Sequence, residues 1–454
     1  MHSDNTPTPL TFNNTDALKK ILMGISQYQQ RQELHSELNA TAQELVTIPA
    51  QLSHLVLLSD RQWIDQERKL LSELCDHYNI ALPNCHENEF TANLGELQLR
   101  WERHTEYSTY TIYQAGPFET PFDQPPVRRL PHKWLARLPG EILVATHIAL
   151  DDRSRPGRSL SELAQLFSSN TVIGSKVAGG SASVWSDNQI HEDGFGRILI
   201  HDENLRSRQI GRLVQRLLEI ETYRMLAMLP LPMTRQMIPQ LARADQRLAR
   251  LITRNTELTS IEDEQRLLDE LTKLAAEIES LSAQTSHRFN ASRAYYDIVK
   301  LRITELREER IEGLQMLQEF MIQRLSSAMG TCELVHTKLE NLSLHVARAS
   351  ELLRTRVDIS MEAQIRDLLK SMDSRAHVQL RLQETVEGLS VVVLSYYLLG
   401  LIGYGLKAIK AAGFMINVEL ITGIAIPVVV ALVFLAVRGI RNMINKQHQN
   451  KDPL

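Results

Sequence analysis

Glu102, His104 and Glu106 alternate with Trp101, Arg103, Thr105 and Tyr107, and on a strand residues two apart share a face. That pattern puts two carboxylates and an imidazole in one polar row, groups that hold metal ions or move protons. Ligands spaced this way along a strand stand about 6.5–7 Å apart, too far for one ion to reach all three. A site built on the row therefore needs groups from other elements; without them the row is a solvated, salt-bridged face. A second cluster, Cys75, His77, Cys85 and His86, offers thiol and imidazole ligands for zinc. Its spacing fits no known finger, and a buried cysteine with surface histidines is the alternative.

Other chemistries are excluded by their motifs. Asn170 to Ser181 contains Gly174, Ser175 and Lys176, but lysine follows serine, so the segment cannot form the cradle of a phosphate loop. No nucleophile elbow, paired-histidine zinc motif or dinucleotide fingerprint is present, and no cofactor is indicated. Arg206, Arg208, Arg212, Arg216 and Arg224 interleave with Leu213, Leu217, Leu218 and Ile220. This could dock on anionic lipid headgroups, but Glu219 and Glu221 interrupt the basic face and favour an amphipathic helix lying on a sheet.

The elements that must position these groups divide at the prolines. All 16 lie at or before Pro239 or at or after Pro427, and only Gly313 and Gly330 interrupt residues 240–387. Proline breaks helix hydrogen bonding, so this stretch predicts long helices with the two glycines as breaks. Leu267, Leu271, Leu274, Ile278 and Leu281 follow a 4,3,4,3 rhythm. That rhythm fits a coiled-coil seam or the core face of an antiparallel bundle. A second seam, Leu339, Leu342, Val346, Ala349 and Leu353, passes into Val357, Met361, Ile365, Leu368 and Met372, as in one long stalk helix with a stutter. Before residue 235, apolar runs at 52–58 and 140–150 and an alternating segment at 98–113 predict strands. Helical patterns lie at 61–78, 159–168 and 206–229, and 117–131 reads as a proline-rich loop across the domain.

Residues 388–406 are 19 residues without a charge, followed by Lys407 and Lys410, and a second uncharged run spans 420–437. Each is long enough to cross a bilayer at about 1.5 Å per residue, and the short connection makes them an antiparallel hairpin. The remainder is ordinary for a folded protein: 454 residues, 43% apolar, 23% charged, net charge -4, mean hydropathy -0.21. That balance gives no reason to expect a nucleic-acid partner. Three scattered cysteines and the lack of an export signal favour a reducing compartment. The expected organisation is a flexible N-terminus over 1–30, an α/β or α+β cytosolic domain over 31–235, a helical bundle or coiled-coil stalk over 236–387, a two-helix transmembrane hairpin over 388–438 and a basic polar tail over 439–454. Both termini are expected in the cytoplasm.

Four stretches carry a resemblance: Leu99 to Thr109, Gly194-Phe195-Gly196-Arg197, Gly211 to Arg224, and Leu382 to Ser390. Together they resemble a bacterial family described as a predicted membrane-anchored protein with a domain of unknown function, DUF3422, over residues 31 to 440. The family's Glu-Leu-His-Ala-Arg-Pro segment stands here as Glu37-Leu38-Asn39-Ala40-Thr41-Ala42, so any activity resting on its His and Arg is in question for this chain. The architecture also resembles that of CorA-type metal-ion channels, whose loop begins Tyr-Gly-Met-Asn. Tyr404-Gly405-Leu406-Lys407 stands at that place and Glu419 in that of an acidic loop residue, which implies a pore loop and an ion as partner. Lys407 works against this, because a ring of ammonium groups repels divalent cations.

The sequence thus leads to a membrane-anchored homo-oligomer in the bacterial inner membrane, acting by assembly or partner binding. A CorA-like channel or transporter and an enzyme in the α/β head are the alternatives.

Overall fold

The computed structural model describes residues 46–81, 88–255, 260–411 and 417–449. It forms two compact units. One comprises residues up to Arg247 together with Ala275–Leu344, and the other comprises Leu248–Leu274 together with residues from His345 onward.

The first unit is built on a nine-stranded mixed sheet of order β2-β3-β4-β1-β5-β8-β7-β6-β9. Its strands are β1 (Ala50–Leu58), β2 (Glu89–Leu94), β3 (Leu97–Arg103), β4 (Tyr107–Ala115), β5 (Glu141–Asp151), β6 (Ile173–Val177), β7 (Ala182–Ser186), β8 (Gly196–Asp202) and β9 (Glu309–Arg310). Only β5 and β8 pair in parallel; the other neighbours are antiparallel. Strand chemistry follows position in the sheet. Central β1 is buried on both faces, its polar Gln51, Ser53 and His54 included, whereas edge strand β2 alternates exposed and buried residues.

One face of the sheet is covered by α4 (Ser207–Met228) and by parts of α6 (Ile261–Leu306) and α7 (Leu317–Ala411). Ile210, Leu213, Leu217, Val299, Ile303 and Met321 join Leu52, Ile148 and Ile200 there. The other face is covered by α1 (Ile64–His77), α2 (His132–Leu135) and the proline-rich loop, whose Val127 and Leu130 pack with Leu55, Leu99, Trp101 and Tyr110. Helix α3 (Leu160–Leu166) starts at Ser159, whose hydroxyl accepts from the Glu162 amide while Glu162 accepts from the Ser159 amide. The strand and helix expectations over residues 52–229 are met for β1, β5, α1, α3 and α4. The alternating segment resolves into the β3–β4 hairpin.

Helix α1 carries an ion pair into the core. The Oε1 of Glu67 accepts from Arg103 Nη1 at 3.0 Å, from the Ser59 hydroxyl at 2.7 Å and from the Ser108 hydroxyl at 2.8 Å. Arg103 Nη2 donates to the Ser59 carbonyl at 2.8 Å, and both side chains are essentially inaccessible to water. Desolvating two charges costs several kcal/mol per ion. The buried Leu70, Leu71 and Leu74 of the same helix return about 5–9 kcal/mol, so α1 docks despite the charge it brings.

Among the remaining helices, α5 (Leu231–Asn255) contains Pro239. In the second unit the buried Glu264 of α6 is held by Arg356 at 2.7 Å and Ser360 at 3.1 Å, both on α7. Seam residues Leu267, Leu271, Leu274, Ile278, Leu339, Leu342, Val346 and Leu353 are all buried. Gly313 lies in the turn before α7 with φ of 80°, as a chain break there requires. Gly330 departs from expectation: α7 runs straight through it, because one glycine costs a helix only about 1 kcal/mol and the flanking Met329 and Cys332 are buried. The uncharged run from 388 is the C-terminal part of α7, and α8 (Val418–Gln449) contains the second. The segment joining them and residues 1–45, including the 1–30 terminus and Glu37–Ala42, lie outside the described residues.

Arg103→Met leaves Glu67 buried and unpaired, and is expected to cost about 3–5 kcal/mol. Glu67→Leu combined with Arg103→Met should recover most of that loss, measured by urea unfolding of the two variants beside the parent.

Candidate functional site

The β3–β4–β1 ladder sets two adjacent polar rows on the face shared with α4. Register pairs Arg100 with Thr111 and Thr111 with His54; one step along, it pairs Glu89 with Glu102 and Glu102 with Thr109. These groups form the floor of a cleft of about 330 Å³. One wall is the α4 face of Gly211, Gln215, Leu218 and Thr222, spaced four, three and four apart, which is one side of a helix. His104, Tyr107 and Tyr223 also line it.

The floor is tightly bonded. Arg100 Nη2 donates to Glu102 Oε1 at 2.8 Å, and the Thr109 hydroxyl donates to Glu102 Oε2 at 3.3 Å. His54 is buried with Nδ1 2.8 Å from the Thr111 hydroxyl and Nε2 3.4 Å from that of Thr222. Burial lowers its pKa to about 4, reinforced by the nearby His104. Burial also lowers the pKa of His104, against the opposing pull of Glu102. His104 stacks on Tyr107 with ring centroids 4.3 Å apart. Burial pushes the Tyr107 hydroxyl far up, helped by its neighbour Tyr223. At the lip, Arg302 of α6 pairs with Glu219. Both oxygens of Glu102 are thus engaged and both imidazoles are neutral at physiological pH, so the cleft offers hydrogen-bond recognition of a polar ligand.

The structure therefore separates the predicted row. Strand β3 ends at Arg103, so His104 and Glu106 fall in the hairpin turn and the two-residue alternation stops there. Glu102 and His104 still meet in the cleft, while Glu106 accepts from Arg288 Nη1 at 2.9 Å. Thr111, Thr222 and His54 were not singled out in the sequence. Their only local signal is the polar residue His54 inside an apolar strand run, and their partners are remote in the chain.

The other predicted groups stand apart. Cys75 lies on α1 and is buried in the core, and burial raises its thiol pKa. His77 is exposed at the helix end, edge-on to Tyr78, and Cys85 and His86 lie outside the described residues. Among the described residues no group of three or more His, Cys, Asp or Glu side chains is arranged to hold a metal ion. Tyr404, Gly405, Leu406 and Lys407 are helical, within the last turns of α7 and not in a loop. Helical spacing brings Lys407 Nζ to 5.9 Å from the Tyr404 ring centre. Glu419 lies in the first turn of α8, where a carboxylate complements the helix dipole.

The model of a family described as Protein of unknown function (DUF3422) matches residues 26–444. The chain belongs to the DUF3422 family. Searches of curated proteins and of solved structures each return no match. In this DUF3422 protein two of the stretches that carried the resemblance, Leu99 to Thr109 and Gly211 to Arg224, supply the floor and the helical wall of one cleft.

The buried histidines give stability a pH dependence. His54 and His147 have folded-state pKa values of about 4 against an ordinary 6.5, so the unfolded chain takes up more protons between those limits. Their contribution is complete above about pH 6.5 and is lost as pH falls toward about 4. The unfolding midpoint should drop between pH 7 and pH 5 in thermal scans, and His54→Gln should shrink that drop.

Proposed function

We propose that this protein is a membrane-anchored homo-oligomer of the bacterial inner membrane. Its hairpin lies in the bilayer, its sheet-bearing unit and both termini are in the cytoplasm, and it acts by assembly and by binding partners or ligands. The observation that carries the reading is the state of the two apolar helices. In the most apolar 18-residue window of each, only 6% is buried within the protein. A soluble core helix would be covered; these present Leu389, Val392, Leu401, Leu420, Leu432 and Phe434 outward, which a hydrocarbon environment accommodates.

Assembly is supported by the continuation of the α7 stripe. Leu353 and Val357 are buried, but Met361, Ile365, Leu368 and Met372 are 45%, 54%, 63% and 58% exposed at the same helical spacing. A second copy of the chain presents the same stripe and would cover it. Gly400 and Gly403, further along α7, have no atom within 4 Å of where a Cβ would stand, leaving room for close helix approach in lipid.

Two measurements test the reading separately. The full chain should stay with membranes through an alkaline carbonate wash and become soluble when residues 388–449 are deleted; release of the intact chain would rule out the anchor. In detergent, sedimentation should give an oligomer that Ile365→Lys with Leu368→Lys converts to monomer. A monomeric parent chain would end the assembly reading.

A further inference from the structure

On the sheet face opposite the cleft, a separate pocket of about 580 Å³ opens beneath the proline-rich loop. Its walls are apolar: Leu55 and Leu57 of β1, Val127 of the loop, Leu135 of α2, Leu138 beyond it, and Phe195. Four polar side chains, Arg128, His132, His147 and Asp193, give it a polar end. His147 faces Ser53 directly across the β1–β5 ladder, with Nδ1 3.0 Å from the serine hydroxyl. That hydroxyl already accepts the Val127 amide at 3.2 Å, and among the described residues Nδ1 is the acceptor left for its proton. The neutral imidazole then carries its own proton on Nε2.

Nε2 has no hydrogen-bond partner among the described residues. Asp193 Oδ2 is the nearest carboxylate at 3.8 Å, too long for a hydrogen bond, although the His147 side chain is only 2% exposed. A buried imidazole clamped against Phe195 at 3.9 Å between ring centroids thus holds an unspent N–H on the pocket wall. Burial lowers its pKa to about 4, opposed by Asp193 and assisted by Arg197 and Arg128, so the ring is a donor at neutral pH.

Charge selects among ligands that would fit an apolar pocket with one donor. Asp193 also faces Arg197 Nη2 at 3.9 Å, which leaves the exposed guanidinium of Arg128 as the uncompensated charge of the lining. Of its nitrogens, Nη1 donates to the Asp123 carbonyl at 3.1 Å, a neutral acceptor. An amine meets only the Asp193 carboxylate, which already faces Arg197 at 3.9 Å and the His147 ring at 3.8 Å, an alcohol uses only the imidazole, and a carboxylate uses both the Arg128 cation and the imidazole donor.

We propose that this pocket binds a medium-chain carboxylate, with the alkyl tail against Leu55, Leu57, Leu138 and Phe195 and the head between Arg128 and the Nε2–H of His147. The proposal concerns the sheet-bearing unit alone and is independent of the membrane anchor and of oligomer formation.

The test uses the full chain held in amphipol, dialysed to equilibrium against labelled decanoate, decanol or decylamine. Decanoate should be retained most strongly. Arg128→Ala, at an exposed position, should weaken decanoate about tenfold while leaving decanol unchanged, and Arg128→Lys should restore much of the loss. Ala136→Trp, which fills the pocket from its exposed rim, should reduce retention of decanoate and decanol to the amphipol background. If Arg128→Ala binds decanoate as the parent does, if decylamine is preferred, or if the parent retains no more than amphipol alone, the assignment is overturned.

Discussion

The buried Glu67 carboxylate joins four elements at one point. It comes from α1 and accepts hydrogens from Ser59 just after β1, from Arg103 at the end of β3 and from Ser108 at the start of β4. Arg103 closes the ring by donating to the Ser59 backbone. Because an unpaired buried charge is far more costly than a paired one is stabilising, the pair acts chiefly as a geometric constraint. It permits only the arrangement in which all three strand ends reach the same carboxylate. The residue after Arg103 is His104, and the one before Ser108 is Tyr107, so the turn between them is fixed on one face of the sheet by bonds made on the other. That is how the cleft receives its stacked pair.

The two pockets depend on each other through β1. His54 points to the cleft side and bonds Thr111, while Ser53 and Leu55 point to the opposite side, where Ser53 bonds His147 and Leu55 lines the second pocket. A strand alternates faces with a period of two, so a one-residue slip would exchange every one of these groups. The apolar neighbours Leu52 and Leu57, each in a different core cluster, add the burial energy that forbids the slip. Polar specificity and apolar burial therefore enforce the same register, and the sheet offers a polar cleft on one side and an apolar pocket on the other.

Local patterns in the sequence were sufficient for elements that carry an apolar run or a helical periodicity of their own: β1, β5, α1, α4 and the two uncharged runs. They failed where a short element is made by its neighbours. Strand β7, Ala182–Ser186, has two serines among five residues and is buried throughout because strands lie on both sides of it. Strand β9 is two residues that add to β6 through Ser175 and Lys176. The candidate cleft was half legible. Glu102 and His104 stood out as polar residues in a strand-like segment, but the turn at 104–106 was hidden by an alternation that continues through it. His54 meets Thr111 and Thr222 at separations of 57 and 168 residues, and no spacing rule reaches that far.

The α7 stripe shows the same limit in the opposite sense. From Leu339 to Met372 the apolar spacing is nearly unbroken, yet the residues are buried as far as Val357 and exposed from Ile359 onward. The pattern is the same on both sides of that point; the difference lies in what is available to cover it. Upstream in the second unit, Glu264 of α6 reaches Arg356 and Ser360, so a partner helix accompanies the stripe to that level. Helical periodicity specifies which face of a helix is to be covered, and leaves the identity of the cover to the rest of the chain or to another one. A stripe that outlasts its intramolecular partner is therefore informative only after the fold is known, because the sequence alone gives buried and unpartnered positions the same signature.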